Sequence, residues 1–333
     1  MSADQKPLLG IPTNVISGFL GVGKTSAILN LLSQKSSHER WAVLVNEFGE
    51  IGIDGSLMQN HQSTDSNIFI REVPGGCMCC TAGISMRLAI AHLLEKAKPD
   101  RLLIEPTGLG HPKEVLDILS ASYYKEILSI QKTITLVDAR KLKEKRFTEN
   151  VIFTQQITVA DIIIGNKIDL YEDSDRESLQ NYIAQSGQSH TKIVFSQNGE
   201  IPLSILLGPT SYRTQNPNEF PVKNNQKVAI SDEPIPEGGY VKAMNKAEGF
   251  MSVGWRFSPE KVFDHQKLFA LLTGLIIDRM KAVFITDNGV FGYNLTFDGL
   301  TEIELDDCLE SRIELISGSI DESFEKDLFN CLQ

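Results

Sequence analysis

The chain has 333 residues, 41% hydrophobic and 23% charged, which is enough for about two domains with sizeable buried cores. Its 43 acidic residues outnumber its 32 Lys and Arg, giving a formal net charge of −11. That balance argues against a broad phosphate-backbone footprint on nucleic acid and against charge-driven docking on a membrane.

No apolar run approaches the roughly 20 residues of a membrane helix, and residues 1–6 are polar rather than signal-like. Of five Cys, three crowd at Cys77, Cys79 and Cys80, too close for strain-free pairing. Thiols kept reduced in a cytoplasm fit better than a secreted disulfide framework.

In chain order, residues 11–17 read as a strand that ends on Gly18-Phe-Leu-Gly21-Val22-Gly23-Lys24-Thr25-Ser26. An amphipathic run with Ile28, Leu29, Leu31 and Leu32 follows. This is the Walker A pattern between a strand and a helix. Loop amides and the helix N-terminus cradle phosphates, Lys24 reaches the terminal phosphates, and Thr25 ligates Mg²⁺.

Residues 41–45 form the next predicted strand, followed by Asn46-Glu47-Phe48-Gly49-Glu50 and a Gly-punctuated loop. Such a loop either responds to Mg²⁺ and a γ-phosphate or is simply an acidic solvated loop.

After a strand at 68–73 comes Gly75-Gly76-Cys77-Met78-Cys79-Cys80. Thiolates suit Zn²⁺ and Cu(I), and a tetrahedral Zn²⁺ wants four ligands. Three cysteines leave one place for a carboxylate such as Glu50, a His, water or a client protein's ligand. An incomplete set implies an exchangeable site; the plainer alternative is a buried small-residue turn with inert thiols.

A helix is predicted at 84–96, then a strand at 101–104 that runs into Glu105-Pro-Thr-Gly108. Glu105 can hold Mg²⁺ through water or orient the attacking water, and Gly108 lets the backbone approach the γ-phosphate. Strands follow at 134–137 and 161–164, the latter leading into Asn166-Lys167-Ile168-Asp169, and at 192–195. Asp169 there either accepts from the N1–H and exocyclic amine of guanine, a donor pair adenine lacks, or is a solvated turn residue or helix cap. Its place after a Walker A and at a strand end favours the first, so Asn166, Lys167 and Asp169 point to GTP. The alternation of strands and helices predicts an α/β fold with a mostly parallel sheet, which binds ligands beyond the carboxyl ends of its strands.

Between 208 and 239 the pattern dissolves into Pro and polar residues. Beyond it a small α+β domain is expected: a strand at 250–257, a helix at 259–273, a hairpin of 281–286 and 290–296 around Asp287-Asn288-Gly289, a strand at 312–316 and a closing helix at 321–332. The expected division is 1–207, a linker at 208–245, and 246–333.

Taken together, Gly18 to Thr25, Asn46 to Glu50, the cysteine turn, Glu105 to Gly108 and Asn166 to Asp169 resemble, in content and order, the CobW family of metal-handling P-loop GTPases. Within it, the YeiR-type zinc-binding GTPases are similar across 41–50, 74–80, 98–112 and 311–317. The resemblance implies a P-loop domain with a CobW-type C-terminal domain, slow GTP hydrolysis to GDP, and Zn²⁺ at the cysteines. It also implies delivery of metal to a client metalloprotein, with the C-terminal domain recognising the client or mediating self-association. Two departures matter. Some relatives carry a metal-binding Glu where Val45 stands, and many carry a His-rich segment, whereas residues 208–240 contain no His. Alternatives to zinc delivery are a passive zinc buffer or sensor governed by GTP, and a chaperone for cobalt or nickel.

Overall fold

The computed structural model describes residues 8–46, 67–73, 82–186, 191–213, 235–236, 239–247, 250–305, 308, 310–321 and 323–333. Two compact units result.

The first unit holds β1 (Ile11–Gly18), β2 (Trp41–Asn46), β3 (Ile68–Val73), β4 (Arg101–Glu105), β5 (Leu128–Ile130), β6 (Ile134–Val137), β7 (Ile162–Gly165) and β8 (Lys192–Phe195). Their order is β3-β2-β4-β1-β6-β7-β8, with β5 beside β1. The pairings are parallel. Strands of a parallel sheet are covered on both faces, which is why β6 and β7 are buried at every residue and read as unbroken apolar runs.

Helices Ala82–Ala97 and Pro112–Leu119 cover one face, where Ile90, Leu93, Leu116 and Leu119 join Val15, Leu44, Leu102 and Ile104 in a core. The chain runs from β1 to β2 on one side and later to β6 on the other. The carboxyl end of β1 is therefore a topological switch point, where open α/β sheets leave a crevice. β7 begins one residue later than the sequence suggests. Asp161 instead caps the strand entry, its carboxylate accepting the N–H groups of Thr133 and Ser211, each at 2.8 Å.

The second unit is an antiparallel sheet of β9 (Tyr240–Ala247), β10 (Phe250–Phe257), β11 (Arg279–Thr286), β12 (Gly289–Thr296), β13 (Gly299–Leu305) and β14 (Ser311–Ser317). The order is β13-β12-β11-β14-β10-β9. Trp255, Phe257, Phe263, Phe284 and Tyr293 build its core against Leu268, Leu272, Phe324 and Leu328.

The hairpin at Asp287-Asn288 is as expected, with Thr286 paired to Gly289. The helix expected from 259 begins at His265, because the Asp264 carboxylate caps it by accepting from the Lys267 N–H at 2.9 Å. Just before the cap, the Phe263 N–H bonds the Ile285 carbonyl at 3.0 Å, so that residue pairs with the end of β11 instead of joining the helix. The closing helix shortens to Phe324–Phe329. Asp321 is turned away by accepting from the Ser323 N–H, and Leu332 bridges to Phe263. The sheet itself starts at Tyr240, inside the stretch expected to be linker, whereas Gly208 accepts from the Lys132 N–H of the first unit.

Candidate functional site

β1 ends at Gly18, and Phe19 to Gly23 form the loop into the helix Lys24–Gln34. Gly23 stands before the helix at φ +94°, in the left-handed region, and a Cβ there would lie 2.5 Å from the Asn166 amide nitrogen. Only glycine satisfies both conditions. Val22 is buried and Ser26 is exposed on the first turn of the helix. Lys24 is buried, with its Nζ donating to the Phe19 carbonyl at 3.2 Å, so the ammonium is folded back over the loop. A cation held this way can trade a carbonyl for phosphate oxygens.

β1 and β4 are parallel neighbours, with Val15 opposite Ile104, so their carboxyl ends lie side by side. There the Thr25 hydroxyl donates to Glu105 Oε1 at 3.3 Å, and Glu105 is only 2% exposed. A hydroxyl and a buried carboxylate already in contact are oxygen donors suited to Mg²⁺, which takes one or two protein oxygens beside phosphates and water. The chemistry of this pair fits the metal that a phosphate loop implies. Beyond Glu105, Gly108 packs against the loop so closely that a Cβ would lie 2.7 Å from Leu20 Cδ2 and 2.9 Å from its backbone nitrogen.

Asn166 leaves the end of β7 buried, with Nδ2 donating to the Val22 carbonyl at 2.9 Å and Oδ1 accepting from the Gly199 N–H at 3.1 Å. It therefore ties the phosphate loop to the loop after β8. Lys167 turns the chain at φ +63°, and Asp169 is exposed on the short 3₁₀ turn Ile168–Leu170, open to a base. The Tyr171 hydroxyl braces this turn by accepting from the Ala139 N–H at 3.0 Å; burial pushes its phenol well above the ordinary range.

The loop after β8 escaped sequence analysis. Ser196 accepts from the Ile168 N–H at 3.1 Å, and Gly199 completes the Asn166 tether. The available signal was Ser-Gln-Asn-Gly, four turn-forming residues at a strand end.

Glu50, Cys77, Cys79 and Cys80 lie outside the described residues, as do Glu47 to Gly49. Among the described residues no group of three or more His, Cys, Asp or Glu could hold a metal. Among them, too, no helix is long and apolar enough to cross a membrane. Cys331 is buried in the second unit, and burial pushes its thiol up, which suits packing rather than reactivity.

The family described as CobW/HypB/UreG, nucleotide-binding domain, matches residues 12–195. This chain belongs to that family. The CobW/HypB/UreG match runs from β1 to the end of β8 and takes in every described residue of the site except Ser196 and Gly199. The parallel-sheet unit is thus the nucleotide-binding domain of a P-loop protein.

The chain is 38% identical over 312 residues to the zinc chaperone YeiR of Escherichia coli (strain K12), covering 92% of this chain and 93% of that one. It is 29% identical over 223 residues to the zinc chaperone CobW of Sinorhizobium sp, covering 60% of this chain and 62% of that one. The Zn(II)-bound YjiA GTPase from E. coli aligns over 97% of this chain and 99% of its own at 18% identity, with a TM-score of 0.45.

Proposed function

We propose that this protein is a GTP-hydrolysing, zinc-binding metallochaperone whose nucleotide state governs how tightly it holds zinc for a client metalloprotein. The observation that carries the proposal is the Thr25–Glu105 pair, which joins the first turn of the helix Lys24–Gln34 to the end of β4. At that same edge of the parallel sheet, β2 ends just before residues 47–66, which include Glu47 and Glu50, and β3 just before residues 74–81, which include the three cysteines. Identity of 38% to a protein named a zinc chaperone supports the metal half.

The phosphates of GTP would lie on the loop amides, with Lys24 stabilising charge that builds on the transferred phosphoryl group. Thr25 and Glu105 would hold Mg²⁺, which when bound neutralises phosphate charge. Glu105, buried and fixed by β4, also orients the attacking water, while Gly108 presents backbone to the γ-phosphate. Asp169 accepts from guanine, and Asn166 keeps the phosphate and base loops in register.

Zinc is the cargo. Cys77, Cys79 and Cys80 supply three thiolates, and the fourth place falls to Glu50, water, a His or the client. The antiparallel-sheet unit, whose first strand starts at Tyr240, recognises the client or mediates self-association, and the parallel-sheet unit carries the chemistry, all in the cytoplasm.

The test is GTP turnover with and without stoichiometric Zn²⁺, paired with metal analysis of the purified protein. Zinc-dependent turnover and about one zinc per chain are expected. Lys24→Ala should cost turnover about 10²–10³-fold and leave the zinc in place. Turnover indifferent to metal would leave a passive buffer, and loss of zinc from folded Lys24→Ala would contradict separable sites.

A further inference from the structure

Gly108 is held from two sides. One is the phosphate loop, where Leu20 leaves no room for a side chain at 108. The other is the helix Val151–Thr158, whose Gln156 is 1% exposed and donates from Nε2 to the Gly108 carbonyl at 3.1 Å. A trans peptide is planar, with its C=O and N–H pointing opposite ways. Fixing the Gly108 carbonyl therefore also fixes the direction of the Leu109 N–H.

The donor is itself anchored. The Gln156 backbone carbonyl accepts from the Thr135 hydroxyl at 2.9 Å, and Thr135 Oγ1 lies 2.8 Å from the hydroxyl of Ser17, the residue before the phosphate loop. A buried chain of hydrogen bonds thus runs from β1 through β6 to Gln156 and ends on Gly108. Beside it, Thr107 Oγ1 and Gln156 Oε1 are buried with no hydrogen-bond partner among the described residues. Buried polar atoms left so are costly and persist where a site has a use for the arrangement.

We infer that Gln156 is a positioning residue: it sets the Gly108–Leu109 peptide against the phosphate loop, so that the protein distinguishes GTP from GDP. This rests on the assignment of Gly108 to the γ-phosphate in the preceding section. Gln156 itself touches no phosphate. It acts by holding a peptide in place before the nucleotide arrives, which spares the GTP state the cost of ordering it.

The test compares affinity for a non-hydrolysable GTP analogue with affinity for GDP, both with Mg²⁺, in the parent protein and two variants. Gln156→Met keeps the length and removes the donor. Gln156→Asn keeps the amide but shortens its reach. Each preparation is first scored for GDP binding, so that unfolded protein does not enter the ratio. Both variants should lose analogue affinity by about fivefold, the size of one net hydrogen bond, and hold GDP within about twofold. A merely structural role would weaken both nucleotides equally, and that result would overturn the inference. So would an unchanged or increased preference for the analogue. A parent protein that bound no GTP analogue would instead bring down the nucleotide assignment itself.

Discussion

In the parallel sheet, buried polar side chains are tethers. Asn14 donates to the carbonyls of Lys132 and Leu206, each at 3.0 Å, Gln156 donates to Gly108, and Asn166 joins Val22 to Gly199. In the antiparallel sheet the interior is aromatic instead. Phe263 meets Phe284 edge-on at 4.6 Å and Phe257 at 5.1 Å, and the charged groups Arg256, Glu310 and Arg312 pair with each other. The contrast separates two uses of a core. Tethers position loops at a strand edge and contribute little to stability singly, whereas aromatic packing contributes most of the stability and positions nothing reactive. Substitutions in the second unit should therefore change stability, and those in the first should change nucleotide chemistry.

The largest expected effect is at Phe263, which is fully buried. Phe263→Ala should cost about 3–5 kcal/mol in urea unfolding. GDP affinity of the folded variant should stay within about twofold, because the core that holds Phe263 contains none of the nucleotide-site residues. A tenfold loss of GDP affinity would break the contrast.

A smaller effect is expected at Asp169, exposed and free of any role in the core. Asp169→Asn should weaken GTP binding by about 10- to 100-fold and improve xanthosine nucleotide binding, because the amide donates where the carboxylate accepted. Its melting temperature should match that of the parent, and unaltered GTP binding would remove the residue from the base site.

The smallest effect concerns acid. Burial alone would raise the Glu310 carboxyl, but the guanidinium groups of Arg256 and Arg312 outweigh it and hold the group below the usual carboxylate range. A depressed folded value means that the pair stabilises above the unfolded pKa of about 4.3 and that this contribution fades as pH falls toward the folded value. Glu310→Gln should lower stability at pH 7 by about 1 kcal/mol, a gap that closes below about pH 4. A gap that persisted in acid would mean that the ion pair is not its source.

Much of the first unit was legible because buried parallel strands are continuous apolar runs and phosphate loops have a fixed vocabulary. Glu105 and Asn166 stood out as polar residues at the ends of such runs. Their partners did not. Gln156 lies on an eight-residue helix whose apolar pattern is too short to have a period, and its role depends on Gly108, 48 positions away. The Asn166 bond to Gly199 likewise spans 33 positions, a pairing that only the tertiary fold creates.

In the second unit, β9 and β13 were missed because both are edge strands. Lys242 and Met244 of β9 and most of β13 are exposed, so neither shows the apolar signature of the inner strands. Helix ends were misplaced where a side chain intervened, as Asp264 does at the start of His265–Thr273.

The central claim is that nucleotide and zinc report to each other. Competition titrations with a zinc chelator, run in parallel with GDP and with a non-hydrolysable GTP analogue, address it most directly. If the two sites are coupled, zinc affinity differs between the nucleotide states by about 5- to 150-fold, and zinc changes the preference for GTP over GDP by the same factor. Equal zinc affinities in the two states would contradict the account.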